Sequence, residues 1–211
     1  MITCSDAVEF LARQNDSSID LILTDPPYNI GIRADWDKLE FDLDNFMKQA
    51  RRVLSPTGQI IIFFDIWSVG KIKDALVLRG FDTIRLLTWV KSNAAPFEAG
   101  SSGYSSSSQE FFIYASKRAR RPKHYASRHS GGFKYPKDHP NTRPIYNESI
   151  KPLALLNELL ERHTKEGDLV CDPYVGSGST MLSCTHLNRR FIGCDIRREV
   201  VDALNKKAAK D

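Results

Sequence analysis

Apolar residues in this chain occur mainly as short runs that alternate with longer amphipathic stretches. Runs rich in Ile, Val, Leu and Phe predict strands at 2–4, 19–24, 59–64, 83–90, 110–114, 169–171 and 190–195. Apolar residues spaced three or four apart predict helices at 6–13, 43–54, 67–79, 152–164, 180–187 and 199–210. Strands that alternate with helices favour a doubly wound α/β fold, with a mostly parallel, seven-stranded sheet in one domain spanning 1–211.

Residues 116–148 form a long segment without clear periodicity, and it carries most of the positive charge. Nine Lys and Arg against one acid give residues 117–143 a net charge of +8, whereas the whole chain is +4. Aromatic residues and histidines are interleaved with these charges, a pattern typical of nucleic-acid contact, although a basic run is also often a solvated face. The DNA contacts predicted in this segment are Lys117, Arg118, Arg120, Arg121, Lys123 and Arg128.

Composition excludes several other classes of protein. The four cysteines are widely spaced without a Cys-x-x-Cys pair, so neither a zinc site nor a redox motif is indicated, and no metal is expected. The longest apolar run, 60–64, is far too short to span a bilayer, and the amino-terminal residues do not resemble a signal peptide. We therefore expect a soluble, intracellular protein with reduced thiols and no membrane partner.

The run at 19–24 ends in Asp25-Pro26-Pro27-Tyr28, which brings together a carboxylate, two rigid residues with free carbonyls, and an aromatic ring. Proline fixes its own φ and biases the preceding residue toward extended backbone, so these acceptors are held in place before a ligand arrives. Such a set suits a planar base held by its exocyclic amino group. The same residues also form an ordinary turn after a strand.

A second motif, Asp172-Pro173-Tyr174-Val175-Gly176-Ser177-Gly178-Ser179-Thr180, lies between a predicted strand and helix. Glycines at this place let a ligand approach the backbone closely. The spacing is not Gly-x-Gly-x-x-Gly, and no lysine follows to meet a phosphate, so a nucleoside fits better than NAD or ATP. Asp195 ends the next predicted strand, where an acid binds ribose hydroxyls or caps the following helix.

Together these motifs resemble those of the DNA amino-methyltransferases that use S-adenosylmethionine. Residues 25–28 are similar to their catalytic tetrapeptide, and 172–180 to their cofactor loop, with Tyr174 and Ser179 in place of Phe and Thr. Lys151-Pro152 and 191–195 also match. The catalytic motif precedes the cofactor motif, which resembles the circularly permuted order of the β group. The resemblance spans nearly the whole chain and implies a Rossmann-like methyltransferase fold.

The resemblance also implies roles for individual residues. The catalytic residues would be Asp25, Pro26, Pro27 and Tyr28, with Asp25 and the Pro26 carbonyl accepting the two amino hydrogens and Tyr28 stacking on the base. The cofactor-binding residues would be Asp6, Asp25, Lys151, Asp172, Tyr174, Gly176, Ser177, Gly178, Thr180 and Asp195. Asp6 equally suits a simple helix cap. Asn29 would contact the DNA base or cap the turn.

The predicted activity is methyl transfer from S-adenosylmethionine to the N6 amine of adenine in double-stranded DNA. Adenine is favoured because cytosine-N4 enzymes more often begin the tetrapeptide with serine; cytosine-N4 and RNA remain alternatives. An oxidoreductase is disfavoured by the absent dinucleotide motif, and an inactive DNA-binding protein by the intact Asp25. Only 116–148 could recognise a target, which implies a short or relaxed site. We expect the cytoplasm of a bacterial or phage-infected cell, and a homodimer stays open.

Overall fold

The computed structural model describes residues 2–27, 41–94, 108–118, 129–138 and 150–208. The strands in these ranges are β1 (Ile2–Cys4), β2 (Ile19–Thr24), β3 (Leu54–Phe64), β4 (Thr83–Lys91), β5 (Gln109–Ser116), β6 (Gly132–Tyr135), β7 (Leu169–Asp172) and β8 (Arg190–Asp195). The helices are α1 (Ala7–Ala12), α2 (Leu43–Val53), α3 (Val69–Leu78), α4 (Leu153–His163), α5 (Ser179–His186) and α6 (Arg198–Ala208), with a short 3-10 turn at Ile66–Ser68. No described helix is long and apolar enough to cross a membrane.

The described strands form a single sheet in the order β1-β8-β7-β2-β3-β5-β4-β6. Strand β5 pairs antiparallel with both β3 and β4, and every other neighbouring pair is parallel. The predicted doubly wound α/β class with a mostly parallel sheet is therefore confirmed. Because the parallel strands end at one edge, the residues that follow them come together there.

The strand count differs from the prediction, because the described sheet has eight strands rather than seven. The additional strand, β6, lies inside the basic segment 116–148 and pairs with β4 at the edge of the sheet. It has four residues, of which Phe133 alone is buried. A strand this short and this exposed has neither a long apolar run nor a repeated alternation, which are the signals that predict strands.

Helices cover the sheet on both faces. On one face α1, α2 and α3 bury a cluster that includes Phe46, Met47 and Leu76. On the other face α4 and α5 pack on a cluster around Phe63 and Trp89. Strands buried on both sides need apolar residues at successive positions, which explains the continuous apolar runs of β2 and β3.

Gly193 on β8 has no room for a side chain, and we expect Gly193→Ala to destabilise the protein. A Cβ there would lie 2.6 Å from the carbonyl oxygen of Asp172 and 2.5 Å from Cγ2 of Val175. The Asp172 oxygen belongs to the backbone. To make room for a Cβ, the end of β7 would therefore have to move. We expect a loss of roughly 1–3 kcal/mol in the free energy of unfolding, measured by urea denaturation.

Gly70 in α3 provides the matched control for this substitution. A Cβ at Gly70 meets nothing within 4 Å. Alanine is the better helix former, so Gly70→Ala should leave stability unchanged or raise it by up to about 1 kcal/mol. An equal loss in both variants would show that close packing at Gly193 is not the cause.

Candidate active site

A cleft of about 710 Å³ lies over the carboxyl edge of the sheet. This volume is in the range of small-molecule sites. The residues that follow β1, β8 and β7 line one side, which we call the glycine-loop half. The ends of β3 and β4 and the start of β5 line the other side, which we call the aromatic half because Phe63, Phe64, Trp67, Trp89 and Phe111 lie there. Asp25, directly after β2, lies between the two halves.

The Asp195 carboxylate organises the glycine-loop half. Its Oδ2 accepts a hydrogen bond from the Gly176 amide at 3.0 Å, and its Oδ1 accepts bonds from the backbone amide of Arg197 at 2.9 Å and from Arg197 Nε at 3.0 Å. Gly176 and Gly178 have positive φ angles of 49° and 77°. The backbone therefore curves around the acid that ends β8, the residue for which ribose binding is predicted.

Asp172 connects the glycine loop to β2. Its Oδ1 accepts hydrogen bonds from the Thr24 hydroxyl at 2.8 Å and from the Tyr174 amide at 3.1 Å. The residue is only 3% exposed. Burial raises the pKa of the Asp172 carboxyl to about 6, although the hydrogen bonds from Thr180, Thr24 and Tyr174 oppose this rise. The negatively charged form of Asp172 is therefore unfavourable in this buried position, because it has lost its contact with water.

Asp25 forms a buried ion pair with Lys151, the residue two positions before α4. The Lys151 ammonium contacts Oδ2 of Asp25 and lies 5.0 Å from the centre of the Phe63 ring. The Lys151 side chain is 8% exposed, whereas 23% of the Asp25 side chain is exposed. Burial raises the pKa of the Asp25 carboxyl above its ordinary value, and the Lys151 charge acts against that rise.

Glu110 and Lys91 extend this ion pair into the aromatic half. Glu110 Oε2 lies 3.2 Å from Lys151 Nζ, and Glu110 Oε1 lies 2.9 Å from Lys91 Nζ. Burial by itself would raise the pKa of Glu110, but the two ammonium groups hold it below its ordinary value. Burial would lower the pKa of Lys151, but Asp25 and Glu110 outweigh it and raise that pKa. We call these four alternating charges, Asp25, Lys151, Glu110 and Lys91, the charge cluster.

Most of the predicted site residues line the cleft. These are Asp6, Asp25, Pro26, Pro27, Lys151, Asp172, Tyr174, Gly176, Ser177, Thr180 and Asp195. Asp6 also caps α1, because its Oδ1 accepts hydrogen bonds from the amides of Val8 and Glu9. Gly178 is the N-cap residue of α5 and faces Leu204, which a Cβ at this position would meet at 2.6 Å. Tyr28 and Asn29 lie outside the described residues.

Of the DNA contacts predicted in the basic segment, two lie within the described residues and away from the cleft. Lys117 and Arg118 follow β5, whose last residue, Ser116, pairs with Gln59 in β3 and with Thr83 at the start of β4, so they lie toward the edge of the sheet opposite the cleft. The Lys117 ammonium donates a hydrogen bond to the Leu54 carbonyl at 2.6 Å. We therefore do not retain these two residues as DNA contacts. Arg120, Arg121, Lys123 and Arg128 lie outside the described residues.

Sequence reasoning missed several residues of the cleft, among them Lys91, Glu110, Arg197 and Trp67. Lys91 and Glu110 have a weak signal in retrospect, since Lys91 directly follows one predicted strand and Glu110 begins the next. Trp67 is 88% exposed at the mouth, and its amide donates a hydrogen bond to Asp65 at 3.1 Å.

Comparisons with known proteins agree with this geometry. A family model described as DNA methylase, for N6 and N4 methyltransferases, matches residues 19–206. The Type II methyltransferase M2.DpnII of Streptococcus pneumoniae is 30% identical over 238 aligned residues, which cover 96% of this chain and 87% of that protein. The Type II methyltransferase M.HpaI of Haemophilus parainfluenzae is 29% identical and covers 98% of this chain and 73% of its own length.

Solved structures show the same likeness. The M1.HpyAVI–SAM complex superposes with a TM-score of 0.76 at 26% identity and covers 98% of each chain. The cytosine-N4-specific PvuII DNA methyltransferase shares the fold, with a TM-score of 0.74 at 17% identity over 96% of this chain. The cleft at the strand ends, the order of its two motifs and these similarities lead to one conclusion: the chain belongs to the N6/N4 DNA methylase family, the DNA amino-methyltransferases that use S-adenosylmethionine.

Proposed function

We propose that this protein transfers a methyl group from S-adenosylmethionine to the exocyclic N6 amine of adenine in double-stranded DNA. The observation that carries the proposal is the position of Asp25. Its ion-paired carboxylate lies at the boundary between the glycine-loop half and the aromatic half of the cleft. A base bound in the aromatic half would present its amine to Asp25 and to a methyl donor in the glycine-loop half.

The glycine-loop half has the donors and acceptors that S-adenosylmethionine requires. Asp195 offers carboxylate oxygens for ribose hydroxyls, and Asp172 offers a carboxylate for the amino group of the methionine part. Tyr174 and Ile196 supply apolar surface for the adenine ring, beside Asp6. The cofactor supplies an electrophilic methyl group when it is bound, and the protein contributes position and charge.

The chemical difficulty is that the amine of a nucleobase is a poor nucleophile, because its lone pair is delocalised into the ring. We propose that the Asp25 carboxylate and the Pro26 carbonyl accept the two amino hydrogens and favour a tetrahedral nitrogen aimed at the methyl group. Pro26 and Pro27 restrict the backbone, so these acceptors are in place before the base arrives. The base leaves the duplex to reach them, and Tyr28 stacks on it and offsets part of the cost of flipping.

Adenine is the favoured base because Asp25 occupies the first position of the tetrapeptide, whereas cytosine-N4 enzymes more often have serine there. The direct test is expression of the protein in a methylation-free host, followed by single-molecule sequencing of plasmid DNA. We expect N6-methyladenine in a short sequence context. N4-methylcytosine would replace the adenine assignment, and unmodified DNA with methylated host RNA would replace the DNA assignment.

Two residues at the mouth of the aromatic half suit contact with DNA. Lys137, just after β6, has its backbone held by Asn93, whose side chain accepts from the Lys137 amide at 2.7 Å and donates to the Lys137 carbonyl at 3.0 Å. Trp67 offers an exposed aromatic face. Lysine beside the mouth suits a phosphate, and tryptophan suits stacking on a base. We therefore propose that the segment 116–148 contacts DNA through its carboxyl-terminal part rather than through Lys117 and Arg118.

We expect Lys137→Gln to weaken DNA binding and to reduce its dependence on salt. Each phosphate contact contributes about 0.9 to the slope of log affinity against log salt, so the slope should fall by roughly that amount. The comparison is Arg118→Gln, an equal loss of charge at the opposite edge, for which we expect no change. Fluorescence anisotropy with a DNA duplex at several salt concentrations measures both. A smaller slope in Arg118→Gln alone would restore the DNA face predicted from sequence.

The similar proteins named above are Type II methyltransferases. We propose that this protein is likewise a site-specific enzyme of a restriction-modification system, acting in the cytoplasm of a bacterial or phage-infected cell. Recognition of the target through the segment 116–148 would imply a short site. The sequencing experiment reports this context together with the modified base.

A further inference from the structure

Lys151 belongs to a Lys-Pro pair for which the family resemblance implied a cofactor-binding role. In the structure its ammonium contacts two acids instead. It binds Asp25 on one side and Glu110, at 3.2 Å, on the other. The face of the Phe63 ring lies 5.0 Å away, and only 8% of the side chain is exposed. The structure therefore directs this charge at the proposed catalytic carboxylate, with little of it exposed to the cleft.

We propose that Lys151 is a positioning residue for methyl transfer: its ammonium, held in turn by Glu110, fixes the orientation of the Asp25 carboxylate toward the target amine. This proposal rests on the role of Asp25 in the proposed function. It differs from the cofactor-binding role that the family resemblance implied for Lys151.

The scaffold around Lys151 suits a positioning role. The lysine lies directly before Pro152, whose carbonyl accepts the first helical hydrogen bond of α4, from Leu156, at 3.1 Å. Leu155 and Leu156 are buried in the core, so the start of α4 cannot shift without disturbing packing. Glu110 pairs in register with Trp89 across β4 and β5, which fixes the other side of the ammonium. Both anchors of Lys151 therefore belong to the rigid part of the fold.

Glu110 also has an electrostatic effect on Asp25, beyond its role in holding Lys151. An ammonium paired with Asp25 alone would neutralise the acceptor that the amine needs. Glu110 shares that ammonium, and Lys91 balances Glu110 at 2.9 Å, so the charge cluster is neutral as a whole while Asp25 keeps its negative charge. Among the residues that the structure describes, the charged groups that face Asp25 are Lys151 before α4, Glu110 on β5 and Asp172 at the end of β7.

The test is the pH dependence of kcat at saturating DNA and S-adenosylmethionine, on whichever base the wild type methylates. Lys151→Gln removes a positive neighbour of Asp25, so we expect kcat to fall about 100-fold and its acid limb to move to higher pH. Glu110→Gln removes a negative neighbour, so its acid limb should move to lower pH. Lys151→Arg keeps the charge and should recover at least ten-fold of the lost kcat.

Lys165→Gln and Glu166→Gln are the matched controls, because both residues are exposed and precede β7 at the opposite edge of the sheet. They should leave kcat and the pH profile unchanged. Calorimetry with S-adenosylmethionine should give dissociation constants within about three-fold of the wild type for every variant, since each affects kcat rather than cofactor affinity. Circular dichroism establishes that each variant is folded, and if Lys151→Gln is not, the opposite shift of Glu110→Gln and the recovery in Lys151→Arg still test the proposal.

Opposite shifts of the acid limb in the two glutamine variants support the proposal. Shifts in the same direction, or an unchanged profile, overturn it. A ten-fold or greater loss of cofactor affinity in Lys151→Gln with an unchanged profile also overturns it and makes Lys151 a cofactor ligand. Asp25→Ala is measured in parallel: if it turns over normally, the role of Asp25 fails, which is distinct from a failure of Lys151.

Discussion

Asp25→Ala should reduce methyl transfer by roughly 10³-fold or more, because it removes an acceptor that the reaction needs in its transition state. Asp25 lies between the two halves of the cleft, with Lys151 beside it and 23% of its side chain exposed. The glycine loop does not depend on it, since Asp195 holds that loop through Gly176. Binding of S-adenosylmethionine should therefore be largely retained.

The measurement combines single-turnover methylation of a DNA duplex with calorimetric titration of the cofactor. Asp25→Asn is the matched control for shape, because it preserves the volume of the side chain while it removes the charge and one acceptor. We expect it to be nearly as inactive as the alanine variant. Removing one partner of a buried ion pair also destabilises a protein, so thermal melting must establish that both variants are folded at the assay temperature. Wild-type turnover in Asp25→Ala would refute the assignment.

The two motifs of this site could be predicted from sequence because each is local. Asp25 and Asp195 directly follow or end apolar runs, and Gly176 lies between a strand and a helix. Their meeting at one edge of the sheet could also be predicted, since parallel strands all end at the same edge. The order of the motifs indicates the permuted topology, so the fold and the meeting of the two motifs can be anticipated from sequence, whereas the aromatic half of the cleft cannot.

The charge cluster and the position of Lys117 could not be predicted, because both depend on the direction of β5. This strand is the antiparallel one, so its first residues lie at the cleft and its last at the far edge. Glu110 is thereby brought to Asp25, and Lys117 is carried away from it. A short apolar run predicts a strand, but it does not indicate whether that strand is parallel or antiparallel to its neighbours. A contiguous basic block need not form one surface: Lys117 lies at the far edge of the sheet, whereas Lys137 lines the cleft.

Asp172→Asn should stabilise the protein by about 3 kcal/mol at pH 8, while it weakens cofactor binding. Burial raises the pKa of Asp172 from 3.8 to about 6. A folded-state pKa above the unfolded value means that the protonated acid favours folding and that this contribution is lost as the pH rises through about 6. Two pKa units correspond to about 3 kcal/mol. The amide has no charge to bury, and its oxygen can still accept from Thr24 and Tyr174.

The gain in stability should follow pH in a characteristic way. It should be full above pH 7 and should fall below about 1 kcal/mol near pH 4, where the wild-type acid is protonated in the folded state but only about half protonated in the unfolded state, whose pKa is 3.8. His163, whose pKa burial lowers to about 4, destabilises the fold over part of the same range, but it does so in both proteins and cancels in the difference. Urea denaturation of the two proteins at pH 4, 6 and 8 measures this difference, and a gain that is constant with pH would contradict a buried charge as its cause.

The same substitution should lower the affinity for S-adenosylmethionine. The Asp172 charge that destabilises the cofactor-free protein is the same charge that would pair with the amino group of the methionine part. Charge-assisted hydrogen bonds of this kind contribute about 1.5–3 kcal/mol. Calorimetry at pH 8 should therefore give Asp172→Asn an affinity for S-adenosylmethionine that is lower by on the order of 10- to 100-fold. Thr24→Val, which removes only a hydrogen bond to Asp172, is the control and should have the smaller effect on affinity. A more stable variant with unchanged affinity would show that Asp172 shapes the loop without binding the cofactor.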